Sequence, residues 1–298
     1  MNQYFVGVIS CLFVLLIILI TFAPAENGIV ESVTVHSRGG GDDYGTPLCS
    51  KDGGCRESST EPTPRTVFSV RSPQQMAQWI KTQNHNRRKA EAVFRKSSVD
   101  VLFLGDSITE YLTGTSLGQA CCDDQKRSFD KAWVGSNVLA LGLSGDQTQH
   151  LLWRISGEGG ELNVGEATTI KRVVINIGTN NLGVGMTPSM AADGVVKVVE
   201  TVTKLLPNAE VWVEQIFPRG RLQQSVASAN ARIRNHINSR MPSSVRISTC
   251  GKYFVNAEVK HESEASWTVD RAYLPDELHP NGPGVKLWMD CLKSDMNI

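Results

Sequence analysis

The chain has 298 residues, 41% of them hydrophobic and 20% charged, with 30 Lys and Arg set against 30 Asp and Glu. That length fits one large domain or two small ones, and the composition excludes a disordered, collagen-like or coiled-coil chain. A formal net charge of zero leaves neither a basic footprint for nucleic acid nor an acidic tail, so no nucleic-acid partner is expected.

No charged side chain precedes Glu26, and Phe5 to Ala23 is a nearly unbroken apolar run. As a helix these residues would rise about 28 Å, close to the thickness of a bilayer's hydrocarbon core. Two readings stay open. The small-residue pattern Ala23-Pro24-Ala25 before Glu26 suits cleavage of a signal peptide, whereas the length of the run suits a signal anchor. Residues 1–25 are therefore read as signal peptide or anchor. Either sends the remainder into the secretory pathway, secreted or held by a single membrane pass with its folded part lumenal or extracellular. Residues 26–66 are rich in Gly, Ser, Pro and charge and read as a flexible linker, with the folded domain at 67–298.

Seven Cys fit that compartment. Cys11 lies in the apolar run; Cys49, Cys55, Cys121, Cys122, Cys250 and Cys291 remain. Six thiols allow 15 pairings, and sequence does not choose among them, but at least one disulfide is expected. No Cys-x-x-Cys or His-Glu-x-x-His spacing occurs, so no metal is expected.

Ser72 can cap a helix running to about Lys96 that carries Met76, Trp79, Ile80, Ala90 and Phe94. Short apolar runs at 101–104, 138–141, 172–177 and 210–216, and a weaker one at 245–248, read as strands. Helical patterns at 147–155, 189–206 and 223–240 separate them, and 284–292 reads as a last helix. Continuous apolar strands alternating with helices predict a parallel sheet of about five strands covered on both faces, a three-layer α/β/α sandwich.

In such sheets the working groups gather at the carboxyl ends of the strands. Three strand ends carry polar clusters flanked by glycine: Gly105-Asp106-Ser107, Gly142-Leu-Ser-Gly145-Asp146 and Gly178-Thr179-Asn180-Asn181. Asp276-Glu-Leu-His279 stands before the last helix. Together these supply what nucleophilic acyl transfer needs: a hydroxyl, a base, an acid to orient the base, and donors for an oxyanion. His150 and Arg154, four apart on one helix face, read as a framework pair, and Trp153 as core.

The order of these clusters resembles that of the SGNH (GDSL-type) hydrolase superfamily, whose fold is flavodoxin-like. Gly145-Asp-Gln-Thr-Gln-His-Leu-Leu-Trp-Arg154, Gly178-Thr-Asn-Asn181 and Pro218-Arg-Gly220 further resemble the catalytic subunits of intracellular platelet-activating-factor acetylhydrolase. The resemblance runs from about Ser72 to Leu292. It implies an esterase with Ser107 as nucleophile, His279 as general base and Asp276 as its orienting acid. The oxyanion hole it implies consists of the backbone N–H groups of Ser107 and Gly145 and the side-chain amide of Asn180. The expected substrate is a short-chain, foremost acetyl, ester of a lipid or glycan, cleaved without a cofactor. An O-acetyltransferase on the same fold and a non-catalytic binding module are the alternatives.

Overall fold

A computed structural model describes residues 48–50, 54–163, 169–257 and 267–298. Helix α1 (Pro73–Phe94) leads into strand β1 (Val99–Gly105), followed by the one-turn α2 (Ser107–Glu110). Next come β2 (Thr115–Ser116), β3 (Gln119–Ala120), α3 (Asp123–Ala132), β4 (Val138–Gly142) and α4 (Thr148–Ile155). The chain continues through β5 (Ile170–Asn176), α5 (Thr179–Gly183), α6 (Pro188–Leu205), β6 (Glu210–Glu214), α7 (Gln223–Arg240) and β7 (Val245–Ser248). A short antiparallel pair, β8 (Val255–Ala257) and β9 (Trp267–Val269), precedes α8 (Gly282–Met296).

The helix starts follow from local chemistry. Ser72 caps α1 by accepting a hydrogen bond from Gln75 N at 3.2 Å, with Pro73 in the first turn, where its missing N–H costs nothing. Thr187 caps α6 and Asn281 caps α8 in the same way, each followed closely by proline.

The central sheet has five parallel strands in the order β4-β1-β5-β6-β7. Successive side chains of a strand point to opposite faces, and here both faces are buried. Leu102 and Leu104 pack with residues of α1, α4, α6 and α7, whereas Val101 and Phe103 pack with α3 and α8. On the second face Phe103 meets Phe129, Trp133 and Trp288 edge-on, with centroids 5.3, 5.8 and 6.2 Å apart. This is the three-layer α/β/α sandwich that the strand pattern predicts.

From β1 the chain passes to β4 on one side and then to β5 on the other. The carboxyl ends of β4, β1 and β5 are thereby neighbours, with Gly105 in register with both Gly142 and Asn176. A crevice at this reversal of strand order is where open α/β sheets place their ligands.

The segment read as a linker is not one over its C-terminal part. Leu48 and Cys49 are buried against Met186, and Cys49 is disulfide-bonded to Cys55. Glu57, Ser59 and Arg65 are buried too. Thr63 N donates to Gln149 O at 3.1 Å, and Thr148 Oγ1 donates to Ser59 O at 2.8 Å. A stretch poor in apolar residues is held here by polar partners on α4 and α6, which hydropathy does not register. The described residues fall in one compact unit. The remaining disulfides are Cys121–Cys122 and Cys250–Cys291. Among the described residues no helix is long and apolar enough to cross a membrane. The apolar run from Phe5 to Ala23 lies outside them.

Candidate active site

Ser107 opens α2 directly after β1. The preceding Asp106 caps that turn, its Oδ1 accepting from Ile108 N at 3.0 Å. Burial pushes the Asp106 carboxyl up to about 7 against the pull of its N–H bond and of nearby His279. Ser107 Oγ lies 2.9 Å from His279 Nε2, and His279 Nδ1 lies 2.6 Å from Asp276 Oδ2. The three residues come from two segments, 172 positions apart in sequence at their widest, yet form one continuous chain of hydrogen bonds.

Asp276 is built to stay charged. Burial pushes its pKa up, but the His279 ring and the backbone N–H groups of Leu278 and His279 outweigh it, leaving Asp276 at about 2. The His279 ring also stacks on Tyr111, with centroids 4.6 Å apart and planes 20° from parallel. One edge of the imidazole is thus tied to Asp276, one face rests on an aromatic ring, and Nε2 points at the serine.

Ser107, Gly145, Asn180 and His279 line a single cleft of about 560 Å³. Gly145 sits at φ +80°, a left-handed conformation that favours glycine, and a Cβ there would come within 2.5 Å of Arg65 Nη2. Asn180 Nδ2 donates to the Asp146 carbonyl at 2.9 Å, which ties the β5 end to the Gly145 loop. Every site residue expected from sequence is therefore gathered here, with Asp276 behind His279. The arrangement can do nucleophilic acyl transfer: a hydroxyl, a base within hydrogen-bond reach, a fixed carboxylate and N–H donors bordering one cavity.

The sequence pattern of the GDSL-like Lipase/Acylhydrolase family matches residues 103–287, more than half of the chain. The chain belongs to this family. It is an ester hydrolase of the SGNH, GDSL type. The platelet-activating factor acetylhydrolase IB subunit beta homolog of Drosophila melanogaster is 30% identical over 155 residues, 52% of this chain and 61% of that protein. The alpha1 subunit of the same acetylhydrolase from Bos taurus is 28% identical over 188 residues, 63% of this chain and 69% of that protein. A GDSL-like lipase from Bacteroides thetaiotaomicron superposes with a TM-score of 0.55 at 18% identity, covering 72% of this chain and 97% of that one. At that identity the likeness is one of fold.

Two buried networks brace the GDSL site, and sequence reasoning reaches only part of them. Asp146, next to Gly145, accepts from Trp79 Nε1 at 2.7 Å and from Arg154 Nη1 at 2.9 Å, and lies 3.3 Å from Arg65 Nε. Arg154 is fully buried and also reaches Glu161, Gly105 O and Leu141 O. It is framework, as its spacing to His150 suggests, and Trp153 is core, packed 5.7 Å from Trp79. Arg65 is the residue that the linker reading misses: its Nη2 donates to Ser144 O, and it lines the cleft. Glu110 completes the loop's support by accepting from Ser144 N at 2.6 Å and Gly118 N at 2.9 Å. Arg219 also lines the cleft and donates to Thr179 O at 2.9 Å.

Glu57 anchors the segment that carries Arg65. It accepts from Gln149 Nε2 at 2.8 Å, lies 3.1 Å from His150 Nε2 and takes a hydrogen bond from Thr66. Burial pushes its pKa up, but these bonds, with His150 foremost, bring it down to about 2. A carboxyl depressed on folding contributes stability above its unfolded pKa, and that contribution is lost as pH falls through the folded value. A fall from 4.5 to about 2 corresponds to roughly 3 kcal/mol at neutral pH. Thermal unfolding of wild type and Glu57→Gln is therefore expected to differ by several degrees at pH 7 and to converge as pH falls from about 4.5 toward 2. An unchanged gap across that window would remove the ionised Glu57 from the account.

Proposed function

We propose that this chain is a serine esterase that removes short acyl groups, foremost acetyl, from esters of a lipid or glycan. The observation that carries this reading is the hydrogen-bond chain Ser107–His279–Asp276 opening on the cleft. In it Ser107 Oγ attacks the ester carbonyl while its proton passes to His279 Nε2. The tetrahedral oxyanion is met by the N–H groups of Ser107 and Gly145 and by the Asn180 amide. His279 returns the proton to the departing alcohol, and water, activated by the same imidazole, releases the acid. The cleft wall supports a short acyl chain. Leu117, Val184 and Leu278 are its aliphatic residues, and Arg65, Arg71 and Arg219 stand among hydroxyls and amides. Labelling with a fluorophosphonate probe, followed by mapping of the modified peptide, tests the reading: modification at Ser107 supports it, and modification elsewhere ends it.

We further propose that the enzyme works in the secretory pathway. Three disulfides among the described residues and the uncharged apolar N-terminus support this. Protease protection of the domain in intact microsomes checks it.

Two expectations follow from the mechanism. Asp276, at about 2, stays ionised across any working pH, so loss of activity on the acid side above pH 4 is not expected to come from its protonation. An acid limb of the kcat/KM profile above pH 4 that disappears in Asp276→Asn would put Asp276 in a different role. Arg65→Gln removes the donor to Ser144 O and the charge beside Asp146, loosening the loop that aims the Gly145 N–H. We expect kcat to fall about tenfold, roughly 1.4 kcal/mol of barrier, with KM within about threefold. A lowered melting temperature with unchanged kcat would make Arg65 a purely structural residue.

A further inference from the structure

A second cavity, of about 400 Å³, lies between α1 and the β2–β3 hairpin. Lys81, His85, Arg88 and Lys89 line it from one face of α1. Their spacing, at positions i, i+4, i+7 and i+8, spans about 100° of a helix, so a stripe of bases faces the hairpin. Opposite them stand Thr113, Thr115 and the Leu117–Gln119 turn, and no carboxylate lines the cavity.

Elsewhere this protein pairs many of its surface cations: Lys126 with Asp130, Lys171 with Asp100, Arg232 with Asp193, Lys286 with Asp290. Among the described residues Lys81, Arg88 and Lys89 have no such partner within ion-pair distance. Lys89 is half-buried, and its Nζ reaches only the Ala140 carbonyl, at 3.5 Å. Burial, with Lys126 nearby, pushes the Lys89 ammonium down from its usual range against the opposing pull of Asp130. Converging cations with no carboxylate among the residues that line the cavity form a site suited to an anion.

We propose that this cavity binds a phosphate- or sulfate-type oxyanion. Its place suggests why the esterase would hold one. Leu117 lines this cavity and the catalytic cleft alike. Glu110 accepts from Gly118 N and Thr115 Oγ1 on the hairpin and from Ser144 N beside Gly145, so one buried carboxylate ties the cavity wall to the loop of the catalytic cleft. An anion drawn against α1 is thus adjacent to the ester site. It is either a charged group carried by the substrate or a free ion that acts through the hairpin. The link to catalysis rests on the esterase reading; the binding itself does not.

The test is calorimetric titration of the whole protein with inorganic pyrophosphate and with sulfate at constant ionic strength. Saturable binding is expected in wild type. It should weaken at least about tenfold in Lys81→Gln/Arg88→Gln, two exposed positions whose change leaves the core intact. Arg232→Gln, which removes a surface cation far along the chain on α7, should leave binding as it is. Absence of saturable binding, or equal weakening in both variants, would overturn the site and leave the esterase reading standing. The source of the anion is then read from kinetics. Pyrophosphate that changes kcat on p-nitrophenyl acetate marks a free effector. Pyrophosphate that competes only against an acetyl ester bearing its own phosphate or sulfate marks a substrate-borne group. Both outcomes support the site.

Discussion

Replacing Ser107 with alanine is expected to cut hydrolysis of p-nitrophenyl acetate by about 10⁴- to 10⁶-fold, because nucleophile, base and acid act as a unit and removal of one forfeits most of their joint effect. The residual rate would come from the N–H donors and from binding alone. The fold should not register the change. The Ser107 hydroxyl bonds to His279, whose ring is held independently by Asp276 at 2.6 Å and by stacking on Tyr111. The turn itself is capped by Asp106, not by Ser107. Melting temperature should stay within a few degrees of wild type, and the fluorophosphonate probe should label wild type but not the variant. A folded Ser107→Ala protein that hydrolyses the ester at a wild-type rate would dismiss Ser107 as nucleophile and move the search to another hydroxyl on the cleft, such as Ser116 or Ser144.

The sheet is legible in the sequence because its strands are buried on both faces. A strand such as Val101 to Leu104 has no solvent side, so it reads as an unbroken apolar run, and its carboxyl end is marked by the glycine that lets the chain turn. Glycine is demanded at Gly105 for a further reason: a Cβ there would meet Asn176 O and Thr109 Oγ1 at 2.3 Å. Ser107, Gly145 and Asn180 stand out for the same topological reason, since parallel strands deliver their carboxyl ends to one edge. Helix α3 is less visible. Asp123–Ala132 is dominated by charged and polar residues and buries only Phe129, too thin an apolar stripe to be read from periodicity. The packed segment before Val67 is illegible for a different reason. Glu57, Ser59 and Arg65 are residue types that normally face water, and their burial is set by partners 79 to 131 positions away. No local pattern encodes Arg65 reaching Ser144. Tyr111 escapes for the same reason, because its partner His279 lies at the far end of the chain.

Asn180 is the member of the site whose role is most open to test. It lies in the first turn of α5, which opens at Thr179 just past β5 and follows Gly178 at φ +112°, a left-handed conformation that favours glycine. Its Nδ2 donates to Asp146 O at 2.9 Å, which fixes the plane of the carboxamide. A carboxamide nitrogen carries two N–H groups, so one remains to serve the cleft that Asn180 shares with Ser107 and Gly145. A donor held in place before the reaction stabilises charge that develops on the carbonyl oxygen more than it stabilises the neutral ester. Asn180→Ala should therefore lower kcat by about 10²- to 10³-fold, about 3–4 kcal/mol, and shift KM only a few-fold. Asn180→Asp, nearly the same shape, should be at least as damaging, because a carboxylate beside the oxyanion repels it. Were the bond to Asp146 the residue's whole purpose, alanine would lower the melting temperature and raise KM while kcat held. Measuring kcat, KM and melting temperature on the same preparations separates the two, and a folded Asn180→Ala enzyme with kcat within about threefold of wild type would take Asn180 out of the oxyanion hole.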